Sequence, residues 1–134
     1  MYNKIIVALS LEHGFSQTSL ELARKLKNEG GQIIAVHVSE PLNDVARLYI
    51  AEEDVEKAQK TTKAEFDKRL ENQQDIESVI LIGHPGREIS DYAEKIGADC
   101  IIVGSHKPGL EDFFLGSTSA RVVRHARCAV HVLR

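Results

Sequence analysis

The chain has 134 residues, a length that fits one compact domain with a sizeable core. Its formal net charge is -3, with acids and bases interspersed, so it carries neither the basic footprint of a nucleic-acid binder nor a polybasic patch for a membrane surface. No apolar run approaches a transmembrane helix, and the opening Met1-Tyr-Asn-Lys-Ile-Ile-Val-Ala8 is not a signal peptide. The two cysteines, Cys100 and Cys128, fall in apolar contexts, as expected of buried thiols in a reduced, cytoplasmic protein; a disulfide is not implied.

Lys4-Ile-Ile-Val-Ala-Leu9 is a continuous apolar run and predicts a strand buried on both faces. Ser16 then caps a helix in which Leu20, Ala23 and Leu26 recur at helical spacing, with Gly30-Gly31 as its stop. Residues 32–38 predict a second buried strand, followed by Pro41. From Leu42 to Asn72 the chain is highly charged, and Val55, Ala58, Thr62, Phe66 and Leu70 form an apolar stripe at three- and four-residue steps. One long amphipathic helix is expected there, least defined before Glu52. A third strand runs from Ile76 to Ile82 and ends at Gly83. Pro85 suits a first helical turn, and Ile89, Tyr92, Ala93 and Ile96 predict a helix closed by Gly97. Asp99 to Val103 predicts the fourth strand, 117–126 a helix and Ala129 to Leu133 a fifth strand.

Alternating strands and helices predict parallel strands joined by right-handed crossovers, hence an open doubly wound α/β sheet. Ligands in such sheets bind beyond the carboxyl ends of strands, which here are Leu9-Ser10, Val38-Ser39, Gly83-His84 and Gly104-Ser105. The last of these opens the most informative stretch, Gly104 to Ser119. It is a strand end, a polar loop and a Gly-Ser at a helix start, where unpaired N–H groups and the positive end of the helix dipole favour phosphate. The P-loop pattern is missing, as is a dinucleotide fingerprint after the first strand. An ordinary strand-to-helix loop with Ser117 as N-cap is the competing reading, and Glu111 and Asp112 favour it by repelling phosphate.

In order along the whole chain, Lys4-Ile-Ile-Val-Ala, Ala35-Val-His-Val38, Gly83-His-Pro85, Gly97-Ala-Asp-Cys-Ile-Ile-Val-Gly-Ser105, Leu115-Gly-Ser117, Val123-Arg-His-Ala126 and Cys128-Ala-Val-His-Val-Leu133 resemble the universal stress protein family. The resemblance implies five parallel strands in the order 3-2-1-4-5 with helices on both faces, an adenine nucleotide alpha hydrolase-like fold. It also implies a homodimer, often joined through the final strand, and in many members binding of ATP or another adenine nucleotide through G-x2-G-x9-G-[ST]. Gly104 matches the first glycine of that motif and Gly116-Ser117 its end. Two departures stand out: Lys107-Pro108 occupies the place of the second glycine in a loop one residue shorter, and Ser10 stands where nucleotide-binding members usually carry an Asp.

By this resemblance Ala8, Leu9, Ser10 and Val38 would line the nucleoside, Val38 through its main chain. Gly104, His106 and Lys107 would flank the phosphates. Gly116, Ser117, Thr118 and Ser119 would bind them through N–H and hydroxyl groups. The ligand expected is ATP or AMP, with Mg as the ion that would accompany a triphosphate, although no metal ligand is evident. The implied role is a stress-response regulator rather than an enzyme, with at most weak ATP hydrolysis or self-phosphorylation at Ser117 or Thr118. The alternative is a nucleotide-free dimeric interaction module of the same family.

Other signals read more plainly. His125-x2-Cys128-x2-His131 spans a helix-to-strand change and lacks a fourth ligand, so a zinc site is not expected. His37 reads as a satisfied strand histidine. The carboxylates at 52–54 read as a solvated helix face, with a surface for an unidentified protein partner as the sharper alternative. The apolar 129–133 strand would be an aggregation hazard if its edge were bare, and pairing across a two-fold axis in a homodimer removes it.

Overall fold

The computed structural model describes residues 1–12, 15–105 and 115–134. In chain order the elements are β1 (Tyr2–Ala8), α1 (Gln17–Leu26), β2 (Lys27–Ser39), α2 (Asp44–Tyr49), α3 (Glu52–Arg69), β3 (Ile76–Ile82), α4 (Pro85–Ile96), β4 (Cys100–Gly104), α5 (Ser117–His125) and β5 (Ala129–Leu133). All five strands are parallel and lie in the order β3-β2-β1-β4-β5, as expected. Among the described residues no helix is long and apolar enough to cross a membrane.

The central strands explain the layering. Ile5, Ile6 and Val7 of β1 are fully buried, and alternation sends successive side chains to opposite faces. Ile5 and Val7 join Leu20 and Ala23 of α1, Phe66 of α3 and Ile102 of β4. Ile6 joins Ile89 and Ala93 of α4, Val122 of α5 and Ile101 of β4. Two helices therefore cover each face, and a run with no polar position is what such a strand requires. The chain winds outward from β1 to β2 and β3, then α4 returns it across the sheet to β4 on the other side of β1. The strand order thus reverses between β1 and β4, and a crevice opens at their carboxyl ends.

Polar contacts fasten the periphery. The Asp99 carboxylate accepts the N–H groups of Asn3 and Lys4 at 2.8 and 2.9 Å, tying the start of β1 to β4. Arg24 of α1 grips Asp75, ahead of β3, through Nε at 2.7 Å and Nη2 at 2.9 Å; this pair holds the Asp75 carboxyl below the usual range. On α3, Asp67 accepts from the Ser78 hydroxyl and from Lys63 at 2.9 Å, which lowers its pKa and pins the helix to β3. These groups are substantially exposed, so each pair contributes at most about 1 kcal/mol.

The structure departs from the sequence reading at two elements. Gly30-Gly31 does not stop α1. The helix ends at Leu26, and both glycines lie within β2. The β1–β2 register runs from Tyr2↔Lys27 to Lys4↔Gln32, so β2 carries extra residues in an irregular bulge. Gly30 takes φ 76° there, and a Cβ on Gly31 would fall 3.0 Å from the carbonyl oxygens of both Asn3 and Asn28. The glycine pair therefore serves close main-chain packing inside the sheet. The charged 42–72 segment is two helices rather than one, because Ile50 and Ala51 are extended. Of its predicted stripe only Phe66 and Leu70 are in the core; Val55 and Thr62 are half-buried and Ala58 is exposed.

Among the described residues Phe66 is the largest fully buried side chain, and its ring packs edge-on to Phe15 (6.2 Å between centroids) and tilted against His37 (5.9 Å). Phe66→Ala is expected to cost about 3–5 kcal/mol. Arg24→Ala, which breaks an exposed pair, is expected to cost about 1 kcal/mol or less. Urea unfolding of the two variants checks this ranking.

Candidate functional site

A cleft of about 900 Å³ opens where the strand order reverses. Ala8, Leu9 and Ser10 line it from the end of β1, and Val38 lines it from β2. Gly104 borders it at the end of β4, and Gly116, Ser117, Thr118 and Ser119 border it at the start of α5. The chain's winding thus brings nine of the predicted site residues to one cavity. The other two, His106 and Lys107, lie outside the described residues, as do Glu111 and Asp112.

Main-chain bonds fix the frame. Leu9 N–H donates to the Val36 carbonyl at 2.9 Å. Val38, two residues further along, turns its own N–H and C=O to that same flank of β2, where β1 has already ended. Ser105 N–H donates to the Leu133 carbonyl at 2.7 Å, and Gly116 N–H donates to the Ser105 carbonyl at 2.9 Å. Ser105, buried and next to Gly104, is therefore the post that holds the entry of α5 against the sheet. Its role follows from sitting one residue past a strand end, a signal the sequence carried only by adjacency.

The start of α5 is electrostatically open. Its N-cap is Gly116, not Ser117, so no N-cap side chain accepts from the first turn, and no acidic residue lies in that turn. Each other helix has one or the other. Ser16 accepts from Ser19 N–H in α1 and Asn43 from Ala46 N–H in α2, while α3 and α4 have carboxylates in their first turns. The positive end of α5 is thus the one left without a compensating side chain among the described residues. The Ser119 hydroxyl donates to the Gly104 carbonyl and is committed to the frame; Ser117 and Thr118 are more open.

Nothing among the described residues requires the two glycines of the site to be glycine. Neither has a positive φ. A Cβ on Gly104 would meet no described atom within 4 Å, and one on Gly116 would meet only the Ser105 carbonyl, at an ordinary 3.6 Å. The missing side chains leave main chain bare toward the cleft.

At the nucleoside end, Ser10 Oγ accepts from Glu12 N–H at 3.2 Å, and Leu11 N–H donates to His37 Nδ1 at 3.4 Å. The buried His37 therefore holds the turn after β1. Across the cleft stand Leu42, Arg47, Val55 and Thr62, with the carboxylates of Glu12, Glu40 and Glu65 also on the lining. Arg47 is the one guanidinium or ammonium on the described lining, and its side chain has no ion pair among the described residues. Sequence reasoning missed it, because fusing α2 into the following helix hid which way it faces.

The sequence model of the family described as "Universal stress protein family" matches residues 1–134. The chain belongs to this family. Among curated relatives, "Universal stress protein A homolog 2" of Coxiella burnetii is 32% identical over 139 residues, covering 99% of this chain and 95% of its own length. "Universal stress protein G" of Shigella flexneri is 28% identical over 143 residues, covering all of both chains. The solved structure of the hypothetical protein MJ0577 superposes with a TM-score of 0.71 at 28% identity, covering 99% of this chain and 96% of the other. Two more distant universal stress protein structures are complexes, one with cAMP (TM-score 0.56, 22% identity) and one, from Archaeoglobus fulgidus, with dAMP (TM-score 0.60, 21% identity). The fold of this universal stress protein is thus the adenine nucleotide alpha hydrolase-like fold of its neighbours.

The cysteines of this universal stress protein lie apart from the cleft. Cys100 is adjacent in register to Cys128, since Cys100 pairs with Ala129. Their side chains nevertheless leave the sheet on opposite faces, Cys100 into the α1–α3 core and Cys128 against the α4–α5 core. Both thiols are free, and Cys128 is only half-buried, a correction to the expectation of two buried thiols. Burial pushes the Cys100 thiol up to about 11 and raises that of Cys128 as well. Among the described residues no group of three or more His, Cys, Asp or Glu could hold a metal ion. At neutral pH neither thiol is expected to react quickly with a disulfide reagent in the native protein, and no intrachain disulfide should form under oxidant. Thiol titration before and after denaturation, with mass analysis of the oxidised protein, checks both points.

Proposed function

We propose that this universal stress protein binds an adenine nucleotide in the crevice between β1 and β4 and acts as a nucleotide-responsive regulator in the cytoplasm. The observation that carries the reading is the pair Gly104 and Gly116. Nothing among the described residues demands glycine at either position, whereas a ligand drawn close to the main chain does. The uncompensated start of α5, directly beyond Gly116, supplies N–H groups for an anion. The cAMP and dAMP complexes of two distant relatives support the reading.

In this reading Ala8, Leu9 and Ser10 bed the nucleoside, and Val38 offers its main-chain edge to adenine. The N–H groups of Ser117, Thr118 and Ser119 take phosphate, with the Ser117 and Thr118 hydroxyls beside them. Lys107, His106 and Arg47 add positive charge. Ser10 supplies no carboxylate to the ribose, so the main chain and the α5 entry provide most of the affinity. Among the described residues no cluster of carboxylates or histidines offers a Mg site, and the reading needs none. Among the described residues the lining offers no nucleophile with a base and an acid behind it, which fits occupancy rather than turnover as the output.

Calorimetric titration with AMP, cAMP, ADP and ATP is expected to show binding. Its absence for all four at about 1 mM would reject the reading and leave the nucleotide-free dimeric module. Gly104→Ala and Gly116→Ala are each expected to leave the melting temperature unchanged or slightly raised, and to weaken nucleotide binding by about tenfold or more. Arg47→Gln should weaken it about three- to tenfold. A lower melting temperature with affinity intact would make the glycines structural and remove their support.

We also propose that the free edge of β5 pairs with a second copy. β5 is bonded to β4 on one side and is terminal on the other, with Val130, His131, Val132 and Leu133 only half-buried. Sedimentation velocity should give twice the 14.9 kDa chain mass. A monomer at micromolar concentration would refute the pairing.

A further inference from the structure

Of the eight large apolar residues left exposed among the described residues, five lie between 42 and 50: Leu42, Val45, Leu48, Tyr49 and Ile50. Three of them, Val45 at 66%, Leu48 at 81% and Tyr49 at 85%, belong to α2. At 100° per residue these three fall within about one-third of the helix circumference, and Arg47 falls on the opposite side. Arg47 lines the cleft, whereas Val45, Leu48 and Tyr49 do not, so the apolar side of α2 is turned outward. No residue of α2 is buried. An outward apolar cluster of this kind contributes nothing to the core and marks a contact surface.

Its surroundings specify the partner. Between residues 44 and 56 the chain carries five carboxylates, Asp44, Glu52, Glu53, Asp54 and Glu56, against one cation, Arg47, which faces away. All five carboxylate residues are exposed. An acidic rim disfavours anionic lipid and nucleic acid. It also disfavours an isologous contact with a second copy, which would set like charges against each other. We propose that the outward face of α2 is a docking surface for another protein, one that presents an apolar groove or helix stripe rimmed by lysine or arginine. The apolar residues of 45, 48 and 49 fill the groove, and the carboxylates on either side steer and register the basic rim. This surface is separate from the nucleotide cleft, and its test needs no nucleotide.

The probe is a synthetic amphipathic helical peptide with a leucine stripe flanked by lysines, labelled for fluorescence anisotropy, alongside its glutamate-flanked counterpart. The full chain is compared with a Leu48→Ser/Tyr49→Ser variant and a Val123→Ser control, which alters an exposed apolar residue far from α2. Equal thermal melts establish that the double variant folds. Wild type and the control should bind the lysine peptide and lose affinity as salt rises. The double variant should bind at least about tenfold more weakly, and the glutamate peptide should not bind. Any of four results would overturn the proposal: equal affinity for wild type and the double variant; binding of the glutamate peptide; self-association lost in the double variant, which would assign the face to a second copy; or preference for phosphatidylglycerol vesicles over the peptide, which would assign it to a membrane.

Discussion

β1 is paired on both edges and buried on both faces, and the other elements take their places from it. A parallel strand in that position tolerates no polar side chain, so Ile5, Ile6 and Val7 fill it, and helices must cover both of its sides. Covering both sides forces the chain to wind one way from β1 to β3 and the other way from β4 to β5. That reversal puts the helices that follow β1 and β4, α1 and α5, on opposite faces of the sheet, and the cleft lies between them at the strand ends. The site is therefore a by-product of the packing rule: the same buried strand that anchors the core also determines where a ligand can sit.

The frame around the cleft is built from main chain more than side chain. Ser105 carries the entry of α5 through one accepted and one donated bond, and the Ser119 hydroxyl closes back onto Gly104. His37 steadies the opposite lip through Leu11 while stacking on Phe66, so the core and the lip share one aromatic contact. Such a frame positions N–H groups without committing side chains to a particular ligand. Ser10, the departure from the family pattern that falls among the described residues, changes a side chain at the margin and leaves this frame intact.

The sequence disclosed the parts of this architecture that depend on local rules. Apolar runs, continuous or interrupted, identified β1, β3, β4 and β5 to within two residues at either end, and Pro85 and Gly97 bracketed α4. The ends of β1 and β4 and the Gly116 helix entry follow from those runs, which is why nine predicted residues meet in one cavity. What the sequence hid depends on long-range contact. A glycine pair after a helical run reads the same whether it ends a helix or lets Asn3 and Asn28 carbonyls approach, and only the register with β1 separates the two. A three- and four-residue stripe likewise cannot say where the core stops. In α3 it stops above Phe66, so Val55 and Thr62 become wall rather than core.

The α2 helix shows why that ambiguity bears on function. The predicted stripe begins at Val55 and says nothing of which way the residues before Glu52 face. The extended residues Ile50 and Ala51 break the helix, so α2 is oriented independently of α3: Arg47 lines the cleft, and Leu48 and Tyr49 turn out. A helix with no buried residue is held by little beyond its own Asn43 cap and its two ends. Its orientation is therefore inexpensive to change, on the order of a few exposed contacts rather than a core rearrangement. With an anion in the cleft, Arg47 gains a partner on the inward side, and the outward apolar face is carried with it. Coupling between occupancy and a partner surface then needs no motion of the sheet, only a bias on one short helix whose two sides address different molecules.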